Sequence, residues 1–176
     1  VASGEKLPKT QGELSINGWA MEARLYAEDP ARGFLPSVGK LDHFDLGDEG
    51  RIETGVQEGD AISPFYDPMI AKLIATGSDR GEAISELASI LDEIEVWPVR
   101  TNAGFLFNAI LHPEFGSGEI DTNFIERNLD ELVPDPEPDD AIWRGAATVA
   151  TAVDEEDELA EDARVPAERG DRRRGA

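Results

Sequence analysis

Residues 69–94 read MIAKLIATGSDRGEAISELASILDEI. The pattern changes here from that of a strand to that of a helix, with strands predicted mainly before this stretch and helices after it. Residues 69–76 form an apolar run interrupted by Lys72, which predicts a strand. Ser78 or Asp79 then caps a helix, with Glu82 as the reciprocal capping partner three residues after Asp79. Apolar residues recur on one predicted face of this helix, at Ile84, Leu87, Ala88, Leu91 and Ile94.

The sequence upstream of this stretch is typical of short strands separated by turns. Residues 19–26 alternate, with Trp19, Met21, Ala23 and Leu25 on one face, which predicts a half-buried strand. Further short strands are predicted at 39–44 and 51–56. Between the first two strands, residues 28–30 (Glu-Asp-Pro) and Gly33 predict a turn.

The sequence downstream is typical of helices. Val96 and Trp97 predict a short strand that Pro98 ends. Thr101 or Asn102 is the predicted cap of a second helix that ends before Pro113, and a third helix is predicted from Thr122. Strands that come first and helices that follow predict an α+β fold.

The composition changes after residue 133, so we predict a folded domain over 1–133 and an acidic tail over 134–176. Residues 134–140 read PDPEPDD, which predicts an extended, solvated linker. An alanine-rich patch over 141–153 has the composition of a short helix. The rest of the tail carries too little apolar surface to offset the entropy of ordering, so it is predicted to be largely disordered.

Charge and composition exclude several classes of function. The chain carries 16 basic and 38 acidic residues, a net charge of −22, which argues against binding to nucleic acid or to an anionic membrane surface. No apolar run is long enough to cross a membrane, and no signal peptide is evident, so we expect a soluble, cytoplasmic protein. The absence of cysteine excludes disulfides, thiolate catalysis and cysteine-based zinc sites.

No short motif for metal or nucleotide binding occurs. The two histidines, His43 and His112, are far apart in sequence, and each is expected to be an ordinary surface or half-buried residue. We therefore predict no metal site and assign no cofactor-binding residue. Glycine-rich phosphate loops and the GxSxG motif are absent.

Arg51 is the one residue singled out for chemistry. It begins a predicted strand after a glycine-containing loop and is surrounded in sequence by acids, at Asp45, Asp48, Glu49, Glu53 and Glu58. A strand arginine in this position can hold an anion through its planar fork. The alternative is an exposed ion pair that contributes little to stability.

Several blocks of the sequence, in order, resemble the C-terminal domain of biotin carboxylase, as found in the alpha subunits of acetyl-, propionyl- and methylcrotonyl-CoA carboxylases. The most diagnostic are EARLYAEDP (22–30), FLPSVGK (34–40), SPFYDPMIAKLIA (63–75) and RTN (100–102). The resemblance covers residues 3–133. It implies antiparallel strands with helices packed on them.

The resemblance also implies a function. The family's enzymes have an ATP-grasp fold and carboxylate biotin with ATP, Mg and bicarbonate. Arg51 matches the family's catalytic arginine, which stabilises the biotin oxygen as the N1 proton leaves and helps to hold bicarbonate. The implied partners are an ATP-grasp half, a biotin carrier domain and a carboxyltransferase subunit. A homodimer is a further expectation, because Arg80 matches a family arginine at the dimer contact.

The sequence departs from the family at points that decide activity. The family's ATP loop, metal-ligating glutamates and biotinylated lysine have no counterpart here. We therefore predict that this chain alone binds no ATP, Mg or biotin cofactor and is inactive by itself. Two interpretations stay open: a part of a biotin-dependent acyl-CoA carboxylase that contributes Arg51, or a non-enzymatic remnant that acts as a binding or dimerisation module.

Overall fold

The computed structural model describes residues 1–138 and 140–148. Contacts between residues separate a first unit, Val1–Pro134, from the remainder of the chain. Residues 140–148 are helical, within the alanine-rich patch. The predicted disorder of 134–176 falls mainly on residues 139 and 149–176, which lie outside the described residues, and the division at 133 stays a prediction. None of the described helices is long and apolar enough to span a membrane.

The first unit contains nine short strands and four α-helices among the described residues. The strands are β1 Trp19–Tyr26, β2 Glu28–Asp29, β3 Leu35–Pro36, β4 Gly39–Lys40, β5 His43–Asp45, β6 Arg51–Thr54, β7 Ala61–Ile62, β8 Met69–Gly77 and β9 Glu95–Trp97. The helices are α1 Arg80–Asp92, α2 Ala103–Leu111, α3 Pro113–Ser117 and α4 Phe124–Leu132. Antiparallel pairing of the strands, together with these helices, confirms the predicted α+β class.

The central sheet has three strands in the order β1-β8-β6, with β8 in the middle. Both neighbours run antiparallel to β8, and the register opposes Ala23 and Ile52 to Leu73. Residues directly opposite each other share a face of a sheet, so these three side chains point the same way. That inner face packs into the main core with α1, where Leu25, Leu73 and Leu87 are at most 1% exposed. Full burial of each such leucine stabilises the fold by about 1.5–3 kcal/mol.

Helix α1 begins as the capping pattern predicts. The Asp79 carboxylate accepts a hydrogen bond from the Glu82 backbone N–H at 2.9 Å, so Asp79 is the N-cap rather than Ser78. The Glu82 carboxylate in turn accepts from the Ser78 N–H at 2.6 Å. The first hydrogen bond satisfies a backbone donor that an uncapped helix leaves without a partner, and the second ties the residue before the cap to the first turn. The buried side of α1 comprises Ala83, Ile84, Leu87, Ile90 and Leu91, and Ala88 is half-buried. Ile94, which was predicted on the same face, lies beyond the end of the helix and is half-buried.

The predicted strand over 39–44 was wrong as a single element. Its two ends pair with different strands, β4 with β7 and β5 with β9. The division falls at Leu41, which is fully buried and whose N–H donates to the Asp60 carbonyl at 2.8 Å, and at Asp42, whose N–H donates to Trp97. A change of pairing partner is set by distant segments of the chain, and the local alternation carries no sign of it.

Two further elements were missed by the sequence patterns. The predicted turn at 28–33 begins with β2, which pairs with β3, and continues as a short 3-10 turn over Pro30–Arg32 that ends at Gly33 with φ 69°. Helix α3 is five residues long and begins at Pro113, where a helix end had been predicted. Proline is well suited to the first position of a helix, and His112 caps this one by accepting from the Glu114 N–H.

Candidate functional site

The side of the central sheet that faces away from α1 carries charged side chains. In the strand register, Arg51 and Glu22 both lie opposite Ile74, while Glu53 and Arg24 both lie opposite Lys72. These six residues form two cross-strand rows, and we refer to them as the outer face. Charges of opposite sign alternate along β1 and along β6, so the outer face is polar although the same strands form the core on their other side.

Arg51 lies on the outer face at the start of the edge strand β6. Its side chain is 72% exposed, and its Nη2 group is hydrogen bonded to the Glu53 carboxylate two residues further along the strand. On β1 the equivalent pair is Arg24 and Glu22, with Nε and Oε1 3.2 Å apart. Ion pairs this exposed contribute at most about 1 kcal/mol, so a competing anion can displace Glu53 from Arg51 at little cost.

The backbone before Arg51 is fixed by a glycine. Gly50 has φ 67°, and a Cβ there would lie 2.4 Å from Ile90 Cδ1 and 3.1 Å from the Ile74 carbonyl oxygen. Only glycine combines this conformation with such close packing against α1 and β8. The loop therefore positions the start of β6, and with it the Arg51 side chain, through contacts with the core.

Acids in the loop before β6 raise the local negative charge. Glu93 follows α1, and a Cβ at Gly47 would meet its side chain, so the carboxylate lies against this loop. Desolvation raises the pKa of Glu93, and repulsion from Glu49, Asp48 and Asp45 raises it further. Arg51 is therefore a basic group presented at the end of an acidic loop.

A second feature runs along the free edge of β1. The edge is closed at one end by Asn102, which is 6% exposed. Its Oδ1 accepts from the Tyr26 N–H at 2.9 Å, its Nδ2 donates to the Arg24 carbonyl at 3.3 Å, and its backbone N–H donates to the Tyr26 carbonyl at 3.1 Å. Asn102 thus replaces a neighbouring strand at this point. The backbone groups of Ala20 and Glu22 face the same way by alternation, and among the described residues no strand lies on that side of β1.

The free edge of β1 borders an apolar groove of about 750 Å³. Its apolar lining includes Trp19, Met21, Phe105, Leu106, Phe124 and Ile125. Trp19 and Ile125 are about half exposed, at 51% and 48%. A groove that combines unpaired strand backbone with exposed apolar side chains has the character of a docking surface for another polypeptide.

Arg80, which the resemblance associates with the dimer contact, is engaged within the domain. Its Nη2 donates to the Phe115 carbonyl at 2.6 Å, and its guanidinium lies 5.0 Å from the centre of the Phe115 ring and 5.8 Å from that of Trp19. These contacts tie the start of α1 to α3 and to the first residue of β1.

The two histidines have local partners. His43 Nε2 lies 2.9 Å from Glu95 Oε2, and its Nδ1 lies 3.6 Å from Glu58 Oε2. His112 caps α3 and packs edge-on against Phe124. Within residues 1–138 and 140–148, no three side chains of histidine, cysteine, aspartate or glutamate are placed to hold a metal ion together.

Sequence patterns identified Arg51 and Glu53 but not their neighbours on the outer face. The period-two alternation of β1, β6 and β8 assigns each residue to a face, yet it does not give the register that brings Lys72 beside Glu53. The groove could not be found in this way, because it is formed by residues from β1, α2 and α4 that are far apart in sequence.

Comparison with protein families identifies the domain. Residues 22–127 match the family model of the biotin carboxylase C-terminal domain, which is more than half of the chain. The chain is 45% identical over 138 residues to the mitochondrial methylcrotonoyl-CoA carboxylase subunit alpha of Arabidopsis thaliana, and 44% identical over 131 residues to the biotin carboxylase of Halalkalibacterium halodurans. These matches take up 77% and 73% of this chain but only 19% and 29% of those proteins.

Solved structures give the same result. The biotin carboxylase domain dimer of Hydrogenobacter thermophilus 2-oxoglutarate carboxylase, in complex with MgADP, ADP and bicarbonate, superposes with a TM-score of 0.72 at 33% identity. That match covers 77% of this chain and 30% of the other. The biotin carboxylase subunit of pyruvate carboxylase superposes with a TM-score of 0.71 at 32% identity. The antiparallel sheet with its packed helices is consistent with these matches. The chain belongs to the biotin carboxylase C-terminal domain family.

Proposed function

We propose that this chain supplies the C-terminal part of the biotin carboxylase component of a biotin-dependent acyl-CoA carboxylase. The observation that carries the proposal is the position of Arg51, on an exposed sheet face with an exchangeable partner, in a domain of this family. The chain spans less than a third of the relatives it matches, so the complete reaction would need the remainder of such an enzyme.

In this proposal, Arg51 acts by charge. Biotin supplies the ureido nitrogen that accepts the carboxyl group, and negative charge develops on the ureido oxygen as the nitrogen loses its proton. A permanently charged guanidinium at that oxygen stabilises the charge where it develops. The same planar fork has the donors to hold bicarbonate with two parallel hydrogen bonds. Glu53 would keep Arg51 in place until an anion displaces it.

Nucleotide and metal would be held elsewhere. The described residues offer no group of three metal-ligating side chains, and the sequence has no phosphate-binding loop. We therefore assign ATP and Mg to an ATP-grasp half, and the biotin to a separate carrier domain. A carboxyltransferase subunit would receive the carboxyl group. The cytoplasmic location stays a prediction.

The groove beside β1 supports the need for a partner. Burial of an exposed tryptophan and isoleucine, together with strand pairing at Ala20 and Glu22, would stabilise the docked form. We propose the ATP-grasp half as the occupant. This contact would also place the ATP site of that half in the same complex as Arg51.

Complementation tests the proposal. The chain is co-expressed with the part of the Halalkalibacterium halodurans biotin carboxylase that lies upstream of the matched region, and bicarbonate-dependent ATP hydrolysis is measured with free biotin. We expect activity from the pair and none from either part alone. Turnover by the isolated chain, or a pair that associates stably without any activity, would contradict the proposal.

The alternative function is a binding or dimerisation module without catalysis, which the exposed groove also suits. Neighbouring coding sequence discriminates between the two, since an ATP-grasp segment directly upstream favours the carboxylase. The complementation experiment discriminates by a second route, because a module without catalysis would associate with a partner but leave Arg51 without a role.

A further inference from the structure

A small cavity of about 260 Å³ lies where the β2–β3 hairpin meets the segment that leads into α2. It is lined by Asp29, Arg32, Ser37 and Arg100, with Pro36 and Pro98 among its walls. One polar lining residue comes from each of three sequence blocks that carry the family resemblance, namely EARLYAEDP, FLPSVGK and RTN. None of these residues belongs to the outer face or to the groove beside β1.

Arg100 is held at the cavity through the Nε atom of its guanidinium group. Its Nε lies 3.5 Å from the Asp29 Oδ2 atom, and the Asp29 side chain is only 12% exposed. No hydrogen bond to the terminal Nη groups of Arg100 occurs within residues 1–138 and 140–148. The planar fork is therefore oriented by a buried carboxylate and still has its outer donors available.

Arg32 approaches from the 3-10 turn after β2, and its guanidinium has neither an ion-pair nor a hydrogen-bond partner in the described part of the chain. Asp29 is the one acid in the lining, so the cavity carries two positive charges and one negative. A net positive cavity is unexpected in a chain with a net charge of −22. Because the rest of the chain repels anions, the local excess of positive charge is what could attract one to this cavity.

Ser37 adds a third donor. Its Oγ accepts the Arg100 backbone N–H at 2.9 Å, which leaves the hydroxyl proton free to be donated. The Ser37 backbone N–H donates to the Ala27 carbonyl at 2.8 Å, so the residue is fixed beside β1. The cavity thus presents two guanidinium groups and one hydroxyl from three separate segments.

We propose that this cavity binds a phosphate group, as free phosphate or as a phosphate monoester. Three donor groups from three separate segments can each meet a different oxygen of a tetrahedral phosphate, whereas a carboxylate offers two oxygens in one plane. The site is independent of the proposed carboxylase function, because it uses neither Arg51 nor the groove.

The test is a titration of the full 176-residue chain with inorganic phosphate, followed by 1H–15N spectra at constant ionic strength. We expect saturable shifts at the amides of Ser37 and Arg100. Arg32→Gln and Arg100→Gln should each weaken binding about tenfold or more, since each removes charge-assisted hydrogen bonds. Arg127→Gln is the matched control, because Arg127 is exposed and already paired with Asp121 and Glu114, and it should leave the affinity unchanged.

Three outcomes would overturn the proposal. They are shifts that do not saturate, an equal loss of affinity in Arg127→Gln, and acetate that binds as tightly as phosphate. Arg100→Gln also removes the contact with Asp29 and can affect folding, whereas Arg32 has no such contact, so Arg32→Gln keeps the test decisive. Comparison of inorganic phosphate with glucose 6-phosphate then distinguishes the free ion from a monoester as the favoured ligand.

Discussion

The two faces of the central sheet are built from the same three strands but differ in what holds their side chains in place. On the inner face, Leu73 is fully buried against α1 and its neighbours. On the outer face, Arg51 is 72% exposed and, among the residues that the structure describes, pairs with Glu53 on its own strand. Packing therefore fixes the backbone from one side and leaves Arg51 on the other side exposed. A change on the inner face should cost stability, whereas under the proposed function a change at Arg51 should cost turnover.

Leu73→Ala, on the inner face, should have the largest effect on stability. Loss of a fully buried leucine from the middle strand should lower the free energy of unfolding by about 2–5 kcal/mol. Lys72→Ala, the next residue along β8 and part of the outer face, is the matched control and should change it by less than about 0.5 kcal/mol. Urea denaturation of both variants provides the measurement. Equal losses would mean that the two faces do not differ as described.

Asn102→Ala tests the edge of the sheet, which belongs to neither face. The substitution leaves the Tyr26 N–H and the Arg24 carbonyl without their side-chain partner, so unfolding should become easier by about 1–3 kcal/mol. Asn108→Ala, in helix α2, which begins directly after Asn102, removes a single hydrogen bond, to the Leu132 carbonyl, and should cost less. Denaturation curves that rank the two variants in the opposite order would contradict the role of Asn102 as an edge cap.

Glu93→Gln should change stability by a small amount that depends on pH. Desolvation and the acids at 45, 48 and 49 raise the pKa of Glu93 in the folded state, so the ionised carboxylate opposes folding. The stability associated with its proton is present at low pH and is lost as pH rises through the raised pKa. Glu93→Gln should therefore be more stable than the parent chain near neutral pH, with the difference disappearing in acid.

Thermal unfolding across pH measures this effect, and Glu86→Gln on α1 is the control. Glu86 is exposed and lies outside the acidic loop. If Glu93→Gln gains no more stability at neutral pH than Glu86→Gln, repulsion around the loop before Arg51 is weaker than the structure indicates.

Local patterns predicted the features that are marked by neighbouring residues in the sequence. The bounds of β1 and the N-cap of α1 follow from alternation and capping chemistry that lie within a few residues. The division of residues 39–44 between β7 and β9 does not, because it depends on hydrogen bonds to Asp60 and Trp97. For the candidate site, the sequence singled out Arg51 and the blocks that resemble a family, whereas the position of Lys72 beside Glu53 required the register of β6 and β8.

The most direct measurement of the central claim is the turnover of Arg51→Ala in the complemented enzyme, taken together with its stability. Removal of one donor to developing charge should lower turnover by roughly 10²–10³, with little change in the KM for ATP and no loss of stability beyond about 0.5 kcal/mol. Arg51→Lys should recover only part of the rate because an ammonium group lacks the planar fork. Arg144→Ala, an exposed arginine paired with Asp140 outside the first unit, should keep full turnover. Near-full turnover by Arg51→Ala would contradict the assignment of Arg51 as the catalytic arginine.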